Sequence, residues 1–110
     1  MTVFETGLLG EYRAARYLRG QGMRILKRRY RAPGGEIDLI ARDGETLVFV
    51  EVKYRPKGHI GDGIKAIDRE KLRCLRRAAE SYLSRYPCGN TRFDAVEITA
   101  AGIRHWKNVC

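Results

Sequence analysis

The sequence predicts an α/β fold: a mixed sheet with flanking helices, built on an α-β-β-β-α-β core with a short extra strand at the end. Three observations predict it. Two segments repeat apolar residues at helical spacing. The segments between and after them alternate apolar and polar residues at a period of two. One helix falls between the third and fourth strands, where it can serve as the crossover that parallel pairing requires. With 110 residues, the chain is read as a single domain spanning 1–110 around one core.

The elements follow in order. Glu5 to about Gln21 reads as a helix, with Leu8, Tyr12, Ala15 and Leu18 at helical spacing and Gly20 and Gly22 to stop it. Met23 to about Arg31 is a strand, ended by the turn signal Ala32-Pro33-Gly34-Gly35. Glu36–Arg42 and Thr46–Tyr54 are strands joined through Asp43-Gly44, a two-residue hairpin signal. Arg55–Gly63 is a glycine-rich loop, expected to be mobile and to lie beside any site. Asp68 is the expected N-cap of a helix running to about Arg85, with an apolar arc of Leu72, Leu75, Ala79, Tyr82, Leu83 and Tyr86. Pro87-Cys88-Gly89-Asn90 is a turn, followed by strands at Arg92–Thr99 and Ile103 to about Lys107.

Charge narrows the class of partner. The net charge is +9, and 16 of the basic residues are Arg against 6 Lys. The Arg fork fits phosphate oxygens, so a polyanion such as nucleic acid is the expected partner. No apolar run exceeds the four residues Leu47–Val50, far short of the ~20 a membrane span needs. No secretory leader is recognisable at the N-terminus, and the expected location is cytoplasmic. Cys74, Cys88 and Cys110 are odd in number and widely spaced, which fits neither a disulfide framework nor a zinc site.

The central hairpin carries the chemistry. With Asp43-Gly44 as the turn, Arg42 pairs with Glu45, and side chains alternate between faces. One face then holds Ile37, Leu39 and Ala41 with Val48, Val50 and Val52, which is core. The other holds Glu36, Asp38 and Ile40 with Leu47, Phe49, Glu51 and Lys53. Glu36 would sit opposite Glu51, with Asp38 diagonal to it. The first helix is the expected cover for this second face, because Glu11 lies in the middle of its apolar arc of Ala14, Leu18, Ala15, Leu8 and Tyr12. A carboxylate there needs a partner or a metal. Glu11, Asp38 and Glu51 beside Lys53 thus form a candidate catalytic cluster. Crowded carboxylates are most simply held by a divalent cation, and oxygen-only donors suit Mg²⁺ or Mn²⁺. Such a cation activates water and stabilises charge on a phosphate.

These residues also carry a resemblance. GGEIDLIARDGETLVFVEVKYR, with GEYRAARYLRGQG before it and REKLRCLRRAAESYL and RFDAVEI after it, resembles the YraN family. These small bacterial proteins are placed in the PD-(D/E)xK nuclease superfamily, similar to archaeal Holliday-junction resolvases. The resemblance implies a restriction-endonuclease-like core and a metal-dependent endonuclease hydrolysing phosphodiesters in branched or structured DNA. It implies metal ligation by Asp38, Glu51 and the backbone carbonyl of Val52, with Lys53 as the catalytic lysine. Glu11 resembles the helix-borne glutamate of the resolvase-like members, and Lys71 matches a polar position on the second helix. Ile37 stands where the superfamily motif has Pro, and Arg29 where the family more often has Asn. A homodimer is implied by the junction-cutting relatives.

The basic run Lys27-Arg28-Arg29-Tyr30-Arg31 is suited to tracking a phosphate backbone, with Tyr30 stacking on a base. It is equally suited to blunting an exposed strand edge. Arg28, Arg29, Tyr30 and Arg31, with Tyr54, Arg55 and Lys71, form the expected nucleic-acid-contacting set. Arg69, Arg73, Arg76 and Arg77 read as a solvated helix face paired with Glu80. His105 and Trp106 read as core and cap. The alternative function is a non-catalytic nucleic-acid-binding module that retains the fold; a third is an adaptor for an acidic protein.

Overall fold

The computed structural model describes residues 3–57 and 69–109. Helix α1 (Val3–Gly20) leads into strands β1 (Arg24–Ala32), β2 (Gly35–Asp43) and β3 (Thr46–Arg55). Helix α2 (Arg69–Arg85) is followed by β4 (Thr91–Thr99) and β5 (Gly102–Trp106). The strands form one sheet in the order β1-β2-β3-β4-β5. Only β3 and β4 run parallel, and α2 lies in the connection between them, as the strand–helix–strand order requires. Asp68 and residues 58–63, expected as an N-cap and a mobile loop, lie outside the described residues.

The turns set the registers. Pro33-Gly34 closes β1 onto β2 with Ala32 opposite Gly35, and Gly34 takes the positive φ (86°) that the second central position of a type II turn demands. Between β2 and β3 the turn is Gly44-Glu45, with Asp43 opposite Thr46. It is thus one residue later than Asp43-Gly44, because Gly44 supplies the positive φ (61°) at the first turn position. Moving the turn by one residue shifts each partner by two positions, so the pairing keeps its parity and the paired residues keep their expected faces.

The two helices cover opposite faces. α1 lays Ala14, Ala15 and Leu18 on Leu39, Ala41, Val48 and Val50, joined by Val96 and Ile98 of β4. α2 lays Leu75, Ala78, Ala79 and Tyr82 on Ile40, Leu47 and Phe49. The expectation that α1 covers the face bearing Glu51 is therefore corrected. α2 covers it, because an all-apolar strip suits the Ala-rich stripe of α1, while the face of Phe49 needs the large Tyr82 ring beside it (6.2 Å between centroids). Leu8 and Tyr12, expected inside, are 41% and 51% exposed, since they lie on the flank of α1 beyond the sheet's reach. Ile37 also departs from its expected face and joins the α2 core.

A second polar cluster is wholly structural. Asp94 is buried in β4 and accepts from His105 Nε2 (2.7 Å), Arg92 Nε (3.0 Å) and the backbone N–H of Asn108 (3.0 Å). Burial opposes its ionisation, but these hydrogen bonds and the Arg92 charge outweigh it and hold the carboxyl below its ordinary range. Arg92 also reaches Asp43 at 3.0 Å, tying the β2–β3 turn to β4. Trp106 Nε1 donates to the buried Glu97 (3.3 Å). His105 and Trp106 are core and cap, as expected.

Candidate functional site

The site forms where β2 leaves β3. Backbone pairing between them runs from Asp43–Thr46 to Leu39–Val50 and stops there. Beyond it, the N–H of Val52 donates to Asp38 Oδ2 (2.8 Å), so a side chain replaces the departing strand's carbonyl. The departure also accounts for Ile37: past Asp38 the strand turns over and its apolar side chain joins the other core. The observed register would set Asp38 directly opposite Glu51 rather than diagonal to it. Glu36 is not part of the cluster. It lies on the surface opposite Arg31, 3.8 Å from that guanidinium.

Glu51 is the anchor of the cluster. It is buried at 4% exposure between Phe49 and Lys53 on the α2 side of β3. Its Oε1 lies 3.3 Å from Lys53 Nζ, two residues along the strand, and 3.1 Å from Lys71 Nζ of α2. Its Oε2 is buried and has no hydrogen-bond partner among the described residues. A buried carboxylate oxygen without a donor costs free energy that the fold alone does not recover.

Asp38 feels this directly. Burial and the charge of Glu51 raise its pKa to about 7; the charge of Glu11 adds to the rise, while the Val52 hydrogen bond and Lys71 oppose it. The sign of the stability effect follows. An unfolded Asp ionises near pH ~3.9, whereas folded Asp38 keeps its proton to about pH 7. Stability therefore falls as pH rises from about 4 to 7 and is level above. In metal-free buffer, Asp38→Asn is expected to stabilise the protein at pH 8 by on the order of 3 kcal/mol and to change little at pH 4. Urea midpoints at the two pH values check this; an equal shift at both would refute it.

Glu11 reaches the cluster from the opposite helix. α1 sits so close to β3 that a Cβ on Gly10 would lie 2.7 Å from Tyr54 Cβ. This fixes Glu11 beside the gap between the strands. Its Oε2 is 2.7 Å from Arg29 Nε. Arg29 adopts φ 49° in the middle of β1, a conformation costly for a residue with a side chain and one that accompanies function more often than chance. Arg29 therefore belongs to the cluster rather than to an outer basic run.

The other expected contacts divide. Arg28 and Arg31 are exposed on β1, an edge strand. Tyr30 is used inside: its ring packs edge-on to Tyr82 (5.3 Å) and its hydroxyl pairs with Ser81 (3.0 Å), so it is not a free stacking platform. Tyr54 packs toward α1 under Arg13, 5.8 Å from the guanidinium, and Arg55 is exposed at the end of β3. Lys71 lies in the cluster. In the sequence it was legible as a basic position on the second helix without a charge partner. Arg73 pairs with Glu70 (3.2 Å), one turn earlier, rather than with Glu80.

Among the described residues, no three carboxylate, imidazole or thiol side chains gather closely enough to hold an ion by themselves. A divalent ion here would need a main-chain donor and water or phosphate oxygens to complete its shell. The unpartnered Glu51 Oε2, facing the same cluster as Asp38, fits such an ion.

Comparison with known proteins completes the description. The family described as uncharacterised protein family UPF0102 matches residues 10–98. A UPF0102 protein of Herminiimonas arsenicoxydans is 42% identical over 103 residues, covering 93% of this chain and 83% of that protein. One from Beutenbergia cavernae is 41% identical over 110 residues, covering 94% and 93%. One from Shewanella amazonensis is 47% identical over 98 residues, covering 84% and 87%.

Proposed function

The chain belongs to the UPF0102 family, and on that premise we propose that it is a metal-dependent endonuclease acting on branched or structured DNA. The observation that carries this reading is the buried, unpartnered Oε2 of Glu51 in a cluster that also holds Asp38 and two lysines. Asp38, Glu51 and the main-chain carbonyl of Val52 would hold Mg²⁺ or Mn²⁺. When bound, the ion supplies Lewis acidity toward a phosphate oxygen and toward water.

The chain's own residues do the rest. Lys53 and Lys71 both point their ammonium groups at Glu51 Oε1, so their positions are set before substrate arrives. Each is placed to neutralise charge building on a phosphate, and Lys53 to hold the attacking water. Hydrolysis adds the water oxygen to phosphorus and breaks one P–O ester bond; the attacking water gives up a proton, and the departing oxygen takes one from solvent and leaves as an alcohol. Glu11, held by Arg29, is the carboxylate across the gap available for the proton of the attacking water. No helix among the described residues is long and apolar enough to cross a membrane, and we place the protein in the cytoplasm, where such a substrate resides.

One observation favours the alternative of a nucleic-acid-binding module without turnover: Lys53 and Lys71 already balance the charge of Glu51 without a metal. Calorimetric titration with Mn²⁺ and Mg²⁺ separates the two. Wild type is expected to bind the ion and Asp38→Ala to lose it, with cleavage of at least one linear, nicked, flapped or four-way DNA. Nucleic-acid affinity indifferent to metal, with no cleavage in the series, would establish the alternative.

A further inference from the structure

A groove of about 400 Å³ runs along the outer flank of α1 toward β5, lined chiefly by Tyr12, Arg13, Arg16, Tyr17, Gln21 and Ile103. Among the described residues, no acidic side chain lines it. Among the described residues, neither Arg13 nor Arg16 has a carboxylate partner. Tyr12, 51% exposed, immediately precedes Arg13 in sequence, and the Tyr17 ring is fixed edge-on against His105 at 5.7 Å. The groove lies on the α1 side of the sheet, the face opposite Glu51 and Lys71. Arg13 lies over the ring of Tyr54, which follows Lys53 on β3 and abuts Gly10, the neighbour of Glu11.

We propose that this groove binds a single-stranded segment of the nucleic acid. The proposal rests on the nucleic-acid reading above and adds a second contact surface to it. Two guanidiniums without a carboxylate partner among the described residues suit the phosphates of one strand, and the exposed face of Tyr12 suits an unstacked base of any sequence. The volume lies within the range of about 300–1,000 Å³ typical of small-ligand sites; it has room for a nucleotide unit and none for a duplex. The absence of carboxylates leaves nothing to repel the strand. Arg13 and Arg16 along α1 define the strand's path.

The test is fluorescence anisotropy with two DNAs in metal-free buffer: a blunt duplex, and the same duplex carrying a ten-nucleotide single-stranded overhang. Wild type is expected to bind the overhang DNA about tenfold more tightly. Tyr12→Ala/Arg16→Glu is expected to lose that gain while keeping its duplex affinity. Arg13→Ala/Arg16→Ala should lower the salt slope for the overhang DNA by about 1.4, from two phosphate contacts at ~0.7 each. Thermal melts confirm that the variants are folded. No gain in wild type, a gain that survives substitution, or an equal loss on both DNAs overturns the groove proposal alone. Displacement by polyglutamate as effective as by single-stranded DNA also overturns it, marking a surface for acidic protein. Failure of wild type to bind either DNA overturns the nucleic-acid reading together with the groove.

Discussion

Glu51→Ala is expected to reduce metal-dependent DNA cleavage by about 10³-fold or more, while DNA affinity in metal-free buffer stays within about threefold. The first figure follows from several kcal/mol of transition-state charge stabilisation supplied through a single ion, at 1.36 kcal/mol per tenfold. The second follows from geometry. Glu51 is 4% exposed and holds Lys53 and Lys71 on one oxygen, so its loss frees two cations and removes none. Folding should survive the change, because the lost charge is also one that opposes ionisation of Asp38. Glu51→Gln is the closer test. It keeps the volume and one acceptor for the lysines but lacks the negative charge a cation needs. Single-turnover cleavage with Mn²⁺, alongside duplex binding and a thermal melt, reads all three quantities. Cleavage persisting in both folded variants would remove Glu51 from the site.

Gly35→Ala is expected to destabilise the protein by about 2–4 kcal/mol, at or beyond the upper end of what overpacking costs. Gly35 opens β2 where α2 crosses it, and a Cβ there would overlap the backbone carbonyl of Cys74. That obstacle is main chain in mid-helix, so no side-chain rotation relieves it. Either β2 or α2 must shift as a body. The same shift would draw Lys71, one turn earlier on α2, away from its 3.1 Å contact with Glu51. Activity should therefore fall together with the urea midpoint. Gly89→Ala is the control: nothing lies within 4 Å of a Cβ at that position, and its effect should stay within about 0.5 kcal/mol. Equal midpoints for the two variants would contradict the packing of α2 on β2.

The two outcomes bear on how the site is built. Glu51 and Lys53 are two residues apart on one strand, so their shared face was legible from the period alone. Asp38 joined them by the same parity, which the turn at Gly44-Glu45 leaves intact because it shifts each cross-strand partner by two positions. Lys71 and Arg29 were legible only as basic positions. Their partners, Glu51 and Glu11, are 20 and 18 residues distant in sequence and adjacent only after the sheet and helices assemble. Tyr30 shows the converse. In the sequence it is an aromatic inside a basic run; in the fold its ring belongs to the α2 core.

The alternation of side chains, the turn residues and the helical spacings determined which elements form and which residues share a strand face, since these depend on neighbours a few positions apart. They also determined the acidic–basic identity of the cluster. The choice of helix for each face, the departure of β2 from β3 at Asp38, and the closure of Lys71 and Arg29 onto Glu51 and Glu11 were decided by tertiary packing. Those depend on the size match between helix stripe and sheet face, and on backbone partners that β3 loses when β2 turns away, and no local pattern encodes either.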